Sequence, residues 1–87
     1  MMPKPPRRVR GYDQHLVAAV LNTTPVTPAV ELGQFCVVHN VPVETVARRM
    51  KVSRPTVYAW FTGTRTPRAK NLSELIELLA VLRSESA

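Results

Sequence analysis

From Tyr12 onward the chain is a succession of apolar stripes at helical spacing, each opened by a capping residue or a proline and closed by a polar break. Asp13 is placed to cap a first short helix in which Leu16, Val17, Val20 and Leu21 recur until Asn22-Thr23-Thr24-Pro25 ends the run. Thr27 followed by Pro28 pairs an N-cap with a proline at the first helical position. It opens a second helix whose Leu32, Phe35 and Val38 are expected to face inward, ending near His39-Asn40. Pro42 is read as the first residue of a third helix, with Glu44 favourably placed on the helix dipole and Val43, Val46, Ala47 and Met50 forming the buried stripe. That helix is short and ends at Lys51. Ser53 then caps a fourth helix, and Pro55 falls in its first turn, where a missing N–H costs little, so the chain must change direction between the two. Val57 with Trp60 or Phe61 gives the inner face, Gly63 suits a left-handed C-terminal cap, and Thr64-Arg65-Thr66-Pro67 is loop. Asn71 with Glu74 resembles a capping box, opening a last helix in which Leu72, Leu75, Ile76, Leu79 and Leu82 run to about Arg83.

No alternating apolar and polar run competes with these helices, so the predicted fold class is all-α with five helices. Residues 1–11, with Pro3, Pro5 and Pro6 among cations, cannot bury apolar area and are expected to be a disordered or extended arm. Residues 12–87 are expected to form one domain. At 87 residues there is no room for a second. The longest uncharged run, Gln14 to Val30, is broken by polar residues and prolines and cannot span a bilayer; no apolar segment follows the basic start as in a signal peptide. A cytoplasmic protein with no membrane partner is expected.

Charge adds direction to this picture. Of a net +6, residues 1–10 carry +4 (Lys4, Arg7, Arg8, Arg10) and residues 42–70 carry +6 (Arg48, Arg49, Lys51, Arg54, Arg65, Arg68 and Lys70 against Glu44), while the remaining stretches are mildly acidic. Two basic blocks suggest a polyanion met by one face and one tail. Candidate chemistry is sparse by comparison. A single cysteine, Cys36, makes no intramolecular disulfide and reads as an inert packed thiol; His15 and His39 lack the spacing of a metal site; no nucleophile elbow or phosphate-cradling loop is present. No enzyme activity, metal, cofactor or small-molecule effector is expected.

Two short helices separated by a few residues, the second strongly capped and the pair flanked by arginines, are the physical recipe of a helix-turn-helix, with a core at about residues 41–63. The stretch from Val41 to Pro67 resembles the Cro/C1-type, lambda-repressor-like family. The match lies in Ala47 at the close crossing, the apolar turn residue Val52, the capping Ser53, Val57 and Trp60, and the terminal Gly63-Thr64-Arg65-Thr66-Pro67. It extends over about Ala29 to Leu82 and implies a lambda-repressor-like domain binding double-stranded DNA. Two positions depart from the pattern. Lys51 stands where the family usually has a glycine in a left-handed turn, at a cost of about 1 kcal/mol unless the turn is reshaped. Phe61 stands where a polar residue usually follows the buried aromatic, and is expected at an interface or partly buried.

The resemblance and helical geometry together make the second helix of the pair the recognition helix, with Arg54, Pro55, Tyr58 and Ala59 outward as base readers. Arg54 is the leading candidate: a guanidinium in the first helical turn can form a bidentate pair with guanine, the alternative being a phosphate contact. Tyr58, one turn along, is placed for a thymine methyl or a phosphate. Val43, Ser53, Thr56, Arg65, Arg68 and Lys70 are assigned to phosphates, Ser53 also serving as a cap, and Arg48 and Arg49 either join them or form a solvated face. Lys4, Arg7, Arg8 and Arg10 are expected to follow DNA into a neighbouring groove. The implied function is a transcription regulator, most simply a phage or mobile-element repressor acting as a homodimer that occludes a promoter. A DNA-packaging or architectural subunit, or a polymerase-binding adaptor, is the alternative. Apolar residues in excess of one core, on the last helix (with Leu78 and Val81 on a second side) or on the first, would form the dimer contact.

Overall fold

The computed structural model describes residues 12–86; the basic arm expected over residues 1–11 lies outside them. The described residues form five helices and no strand: α1 (Gln14–Leu21), α2 (Pro28–His39), α3 (Val43–Met50), α4 (Arg54–Phe61) and α5 (Ala69–Ser86). Helix starts follow the capping chemistry of the sequence. The side chains of Asp13, Thr27 and Ser53 accept from the backbone N–H three residues on, at Leu16, Val30 and Thr56. Each such cap contributes about 1 kcal/mol. Pro42 is itself the N-cap of α3, with no side-chain bond, so the helix begins one residue later than read.

Helix α2 is the central element, packing against α1, α4 and α5, while α3 packs against α4 and α5. Its buried face is Ala29, Val30, Leu32, Gly33 and Cys36; Phe35 is half-buried and stacks on the His39 ring, and Val38 is 63% exposed rather than inward. Gly33 is where α4 comes closest, since a Cβ there would stand 2.6 Å from Cγ of Phe61. Phe61 is completely buried beside Trp60, so it belongs to the core and not to an interface. It fills the space the glycine leaves. The α3 stripe of Val43, Val46, Ala47 and Met50 is buried throughout.

Helix α5 differs most from expectation. It starts at Ala69 after a buried Pro67, and the Leu72 N–H donates to the Arg68 carbonyl at 2.7 Å, so Asn71 lies inside the helix and caps nothing. Leu75, Leu78 and Leu79 are its buried residues, Leu72 and Leu82 are half-buried, and Ile76 is exposed. Arg83 near its end pairs with Glu31 of α2. Ahead of α1, Tyr12 is buried and its hydroxyl donates to the Val41 carbonyl, fastening the start of the described chain to the α2–α3 connection. Most of the apolar stripe of α1 is spent on the core: Val20 is buried, Leu16 and Val17 pack partly against it, and Leu21 stays exposed.

Candidate nucleic-acid interface

Helices α3 and α4 are held as a unit by the turn between them. Ala47, 8% exposed, leaves room for the crossing, and its carbonyl accepts from the Val52 N–H at 3.0 Å. Lys51 is left-handed (φ 59°, ψ 44°), so the turn keeps the geometry a glycine would adopt and the lysine bears it. Val57, Trp60 and Phe61 bind α4 to the core on one side. The opposite side consists of exposed Arg54 and Pro55, with Tyr58 and Ala59 half-buried. Of the four expected base readers, Arg54 and Pro55 stand clear of the core, Ala59 is half-buried, and Tyr58 packs partly against the core cluster and presents only part of its ring.

The residues expected at phosphates divide into groups. Ser53 and Thr56 are largely engaged with each other, their hydroxyls 2.9 Å apart, while Ser53 Oγ also accepts from the Thr56 N–H at 3.4 Å. Arg65 and Arg68 line a cleft of about 330 Å³ together with Thr56 and Trp60 of α4 and with Thr66 and Asn71. This cleft combines guanidinium, hydroxyl, indole and amide groups, a set rich in donors to an anion. Lys70 is parted from them. It lines a separate cleft of about 600 Å³ between α3 and α5, with Arg49 and Lys51 on one wall, Glu74 and Glu77 on the other, and Met50 and Leu78 beneath. Val43 is buried within the α3 stripe, as its place in that stripe implied, so a phosphate contact there falls to its main-chain N–H, among the unpaired donors of the first helical turn. Lys4, Arg7, Arg8 and Arg10 lie outside the described residues.

Electrostatically the face is basic with one interruption. Among the described residues the ion pairs are Arg83–Glu31 and Arg54–Glu44, the latter at 3.6 Å between two exposed side chains; Arg48, Arg49, Lys51, Arg65, Arg68 and Lys70 form none, although Arg49, Lys51 and Lys70 share a cleft with Glu74 and Glu77. Sequence reasoning assigned Glu44 to the helix dipole and missed its contact with Arg54; its isolation as the one acid of residues 42–70 was the available signal. It also missed Asn71, which lines both clefts once released from the capping role. Cys36 is fully buried in α2, and burial pushes its thiol up to about 12, which removes the thiolate a reactive cysteine requires. Among the described residues no group of histidine, cysteine and carboxylates is arranged to hold a metal, and no helix is long and apolar enough to cross a membrane.

A family model described as Helix-turn-helix matches residues 39–85, more than half of the chain and a span that takes in α3, α4 and nearly all of α5. No curated protein and no solved structure matches the chain.

Proposed function

The chain belongs to the Cro/C1-type helix-turn-helix family and is a DNA-binding transcription regulator, and on that premise we propose that it is a sequence-specific repressor that binds as a homodimer and occludes a promoter. The observation that carries this reading is the division of α4 into two faces, with Val57, Trp60 and Phe61 buried and Arg54 and Pro55 exposed. A helix anchored in this way can enter the major groove without disturbing the core. Arg54 reads a guanine edge in this proposal, and Tyr58 and Ala59 follow along the helix. Arg65, Arg68 and the N–H of Val43 engage phosphates, and Lys70, Arg48 and Arg49 add to the basic field. The reading assigns no catalytic step and no effector, and places the protein in the cytoplasm of a bacterial or phage-infected cell, bound to a phage or mobile-element operator.

A dimer is supported by apolar side chains left uncovered: Val38, Ile76 and Val81 are exposed on α2 and α5. Selection of bound duplexes from random sequence, followed by sedimentation of the complex, tests the proposal. A near-palindromic site with half-sites about 34 Å apart, or a multiple of that, bound by two chains, is the expected result. One chain per site overturns the dimer, and a ring or filament without a preferred sequence assigns the protein to DNA packaging or architecture instead.

A further inference from the structure

Residues 42–70 contain seven lysines and arginines and one acid, Glu44, and that acid stands against the residue best placed to read a base. Its location in the first turn of α3 satisfies the helix dipole, but any orientation of the side chain would do that. Instead the carboxylate reaches across the turn, with Oε2 3.6 Å from Nη1 of Arg54, while the six other cations of the segment form no ion pair among the described residues. Both side chains are more than half exposed, so the pair contributes little to stability. Its consequence lies in what Arg54 does next.

A guanidinium carries five donors in a planar fork. With Nη1 turned to Glu44, the edge formed by Nε and Nη2 is left for guanine O6 and N7. The competing use of Arg54 is a phosphate contact, for which the side chain must leave Glu44. An unpaired carboxylate then remains close to the phosphate backbone, and like charges repel. We propose that Glu44 is a specificity-determining residue acting through Arg54: it holds the guanidinium with one edge free for guanine and penalises the phosphate contact that every DNA sequence offers. This rests on the reading of α4 as the recognition helix.

The test uses the full chain and its Glu44→Gln, Arg54→Ala and doubly substituted forms, each titrated against the selected duplex and a random-sequence duplex. Glu44→Gln is expected to tighten binding to random DNA about threefold and to leave selected-site binding no tighter, so that the ratio of the two affinities falls about threefold. Arg54→Ala is expected to lower that ratio by roughly 5- to 150-fold and to relax preference at one base pair per half-site. With Arg54 already replaced, Glu44→Gln should tighten both duplexes equally and leave the ratio where it is. Melting temperatures equal to the parent's support the assignment by showing that the effect is not structural. A ratio that survives Glu44→Gln overturns the role of Glu44 while leaving the DNA-reading helix intact. A ratio that falls equally with Arg54 absent overturns the route through Arg54. Failure of the unsubstituted chain to prefer any duplex overturns the recognition helix itself and this inference with it.

Discussion

Gly33 shows how one residue sets the spacing of two helices. It lies buried mid-helix in α2, where a Cβ would come within 2.6 Å of Cγ and 2.7 Å of Cβ of Phe61, atoms close to the α4 backbone that cannot swing aside. Alanine is ordinarily the better helix former by about 1 kcal/mol, so propensity alone favours Gly33→Ala. Overpacking of a filled core costs about 1–3 kcal/mol and opposes it. Because Phe61 is fully buried and the clash involves the base of its side chain, the steric cost should win. Gly33→Ala is expected to destabilise by up to about 2 kcal/mol net in chemical denaturation. A neutral or stabilising outcome would show that α2 and α4 separate without cost. Neither partner was legible alone: a mid-helix glycine looks like a weak point, and Phe61, next to Trp60, departs from the family pattern. Only their juxtaposition explains both.

Among the elements, those with short-range chemistry at their ends were legible, and those set by packing were not. Asp13, Thr27 and Ser53 each opened a helix where expected because a side-chain oxygen meets an N–H three residues on, a contact encoded locally. The base-reading candidates came from the family resemblance together with helical geometry, whereas the α3 stripe and the buried Val57 and Trp60 of α4 followed from the same local periodicity. The inner face of α2 did not. Steps of three residues lag a full turn by about 60° each, so Val38 stands about 120° round from Leu32 and leaves the face. Packing with three neighbours instead buries Ala29, Leu32, Gly33 and Cys36, at spacings of three and four. In α5 the Arg68 carbonyl took the first helical bond ahead of Asn71, and the stripe centred on Leu75 and Leu79 leaves Ile76 outside. The turn joining α3 to α4 shows the reverse case, local strain retained within a legible element. Lys51 holds φ at 59°, where an L-residue pays about 1 kcal/mol relative to glycine. Lys51→Gly is expected to stabilise by about 0.5–1 kcal/mol, or about 2–8 °C in melting temperature for a domain of this size. No gain on melting would mean that the lysine stem contributes packing equal to the strain.

At the scale of the whole molecule the decisive quantity is the number of phosphates neutralised. Residues 42–70 carry +6 and residues 1–10 carry +4, while the stretches 11–41 and 71–87 carry −2 each, so the positive field is concentrated in two parts of the chain. In the described part, Arg65 and Arg68 share a cleft beside α4, whereas Lys70, Arg49 and Lys51 face Glu74 and Glu77 across a second one. The first pair should thus count fully toward DNA and the second group less. Each phosphate neutralised contributes about 0.9 to the slope of log affinity against log salt. Arg65→Ala and Arg68→Ala are each expected to lower that slope by about 0.9 while leaving base preference unchanged, since a phosphate contact carries no sequence information. Removing residues 2–10 deletes four cations, which sets a ceiling of about 3.6 on the loss of slope, and a loss of about 2 is expected because such contacts are seldom all made together. Titrating the parent and truncated chains against one duplex at several salt concentrations separates the two basic blocks. A slope unaltered by the truncation would mean that Lys4, Arg7, Arg8 and Arg10 form a solvated tail or serve a protein partner, and would leave the +6 of residues 42–70 as the whole of the electrostatic contribution.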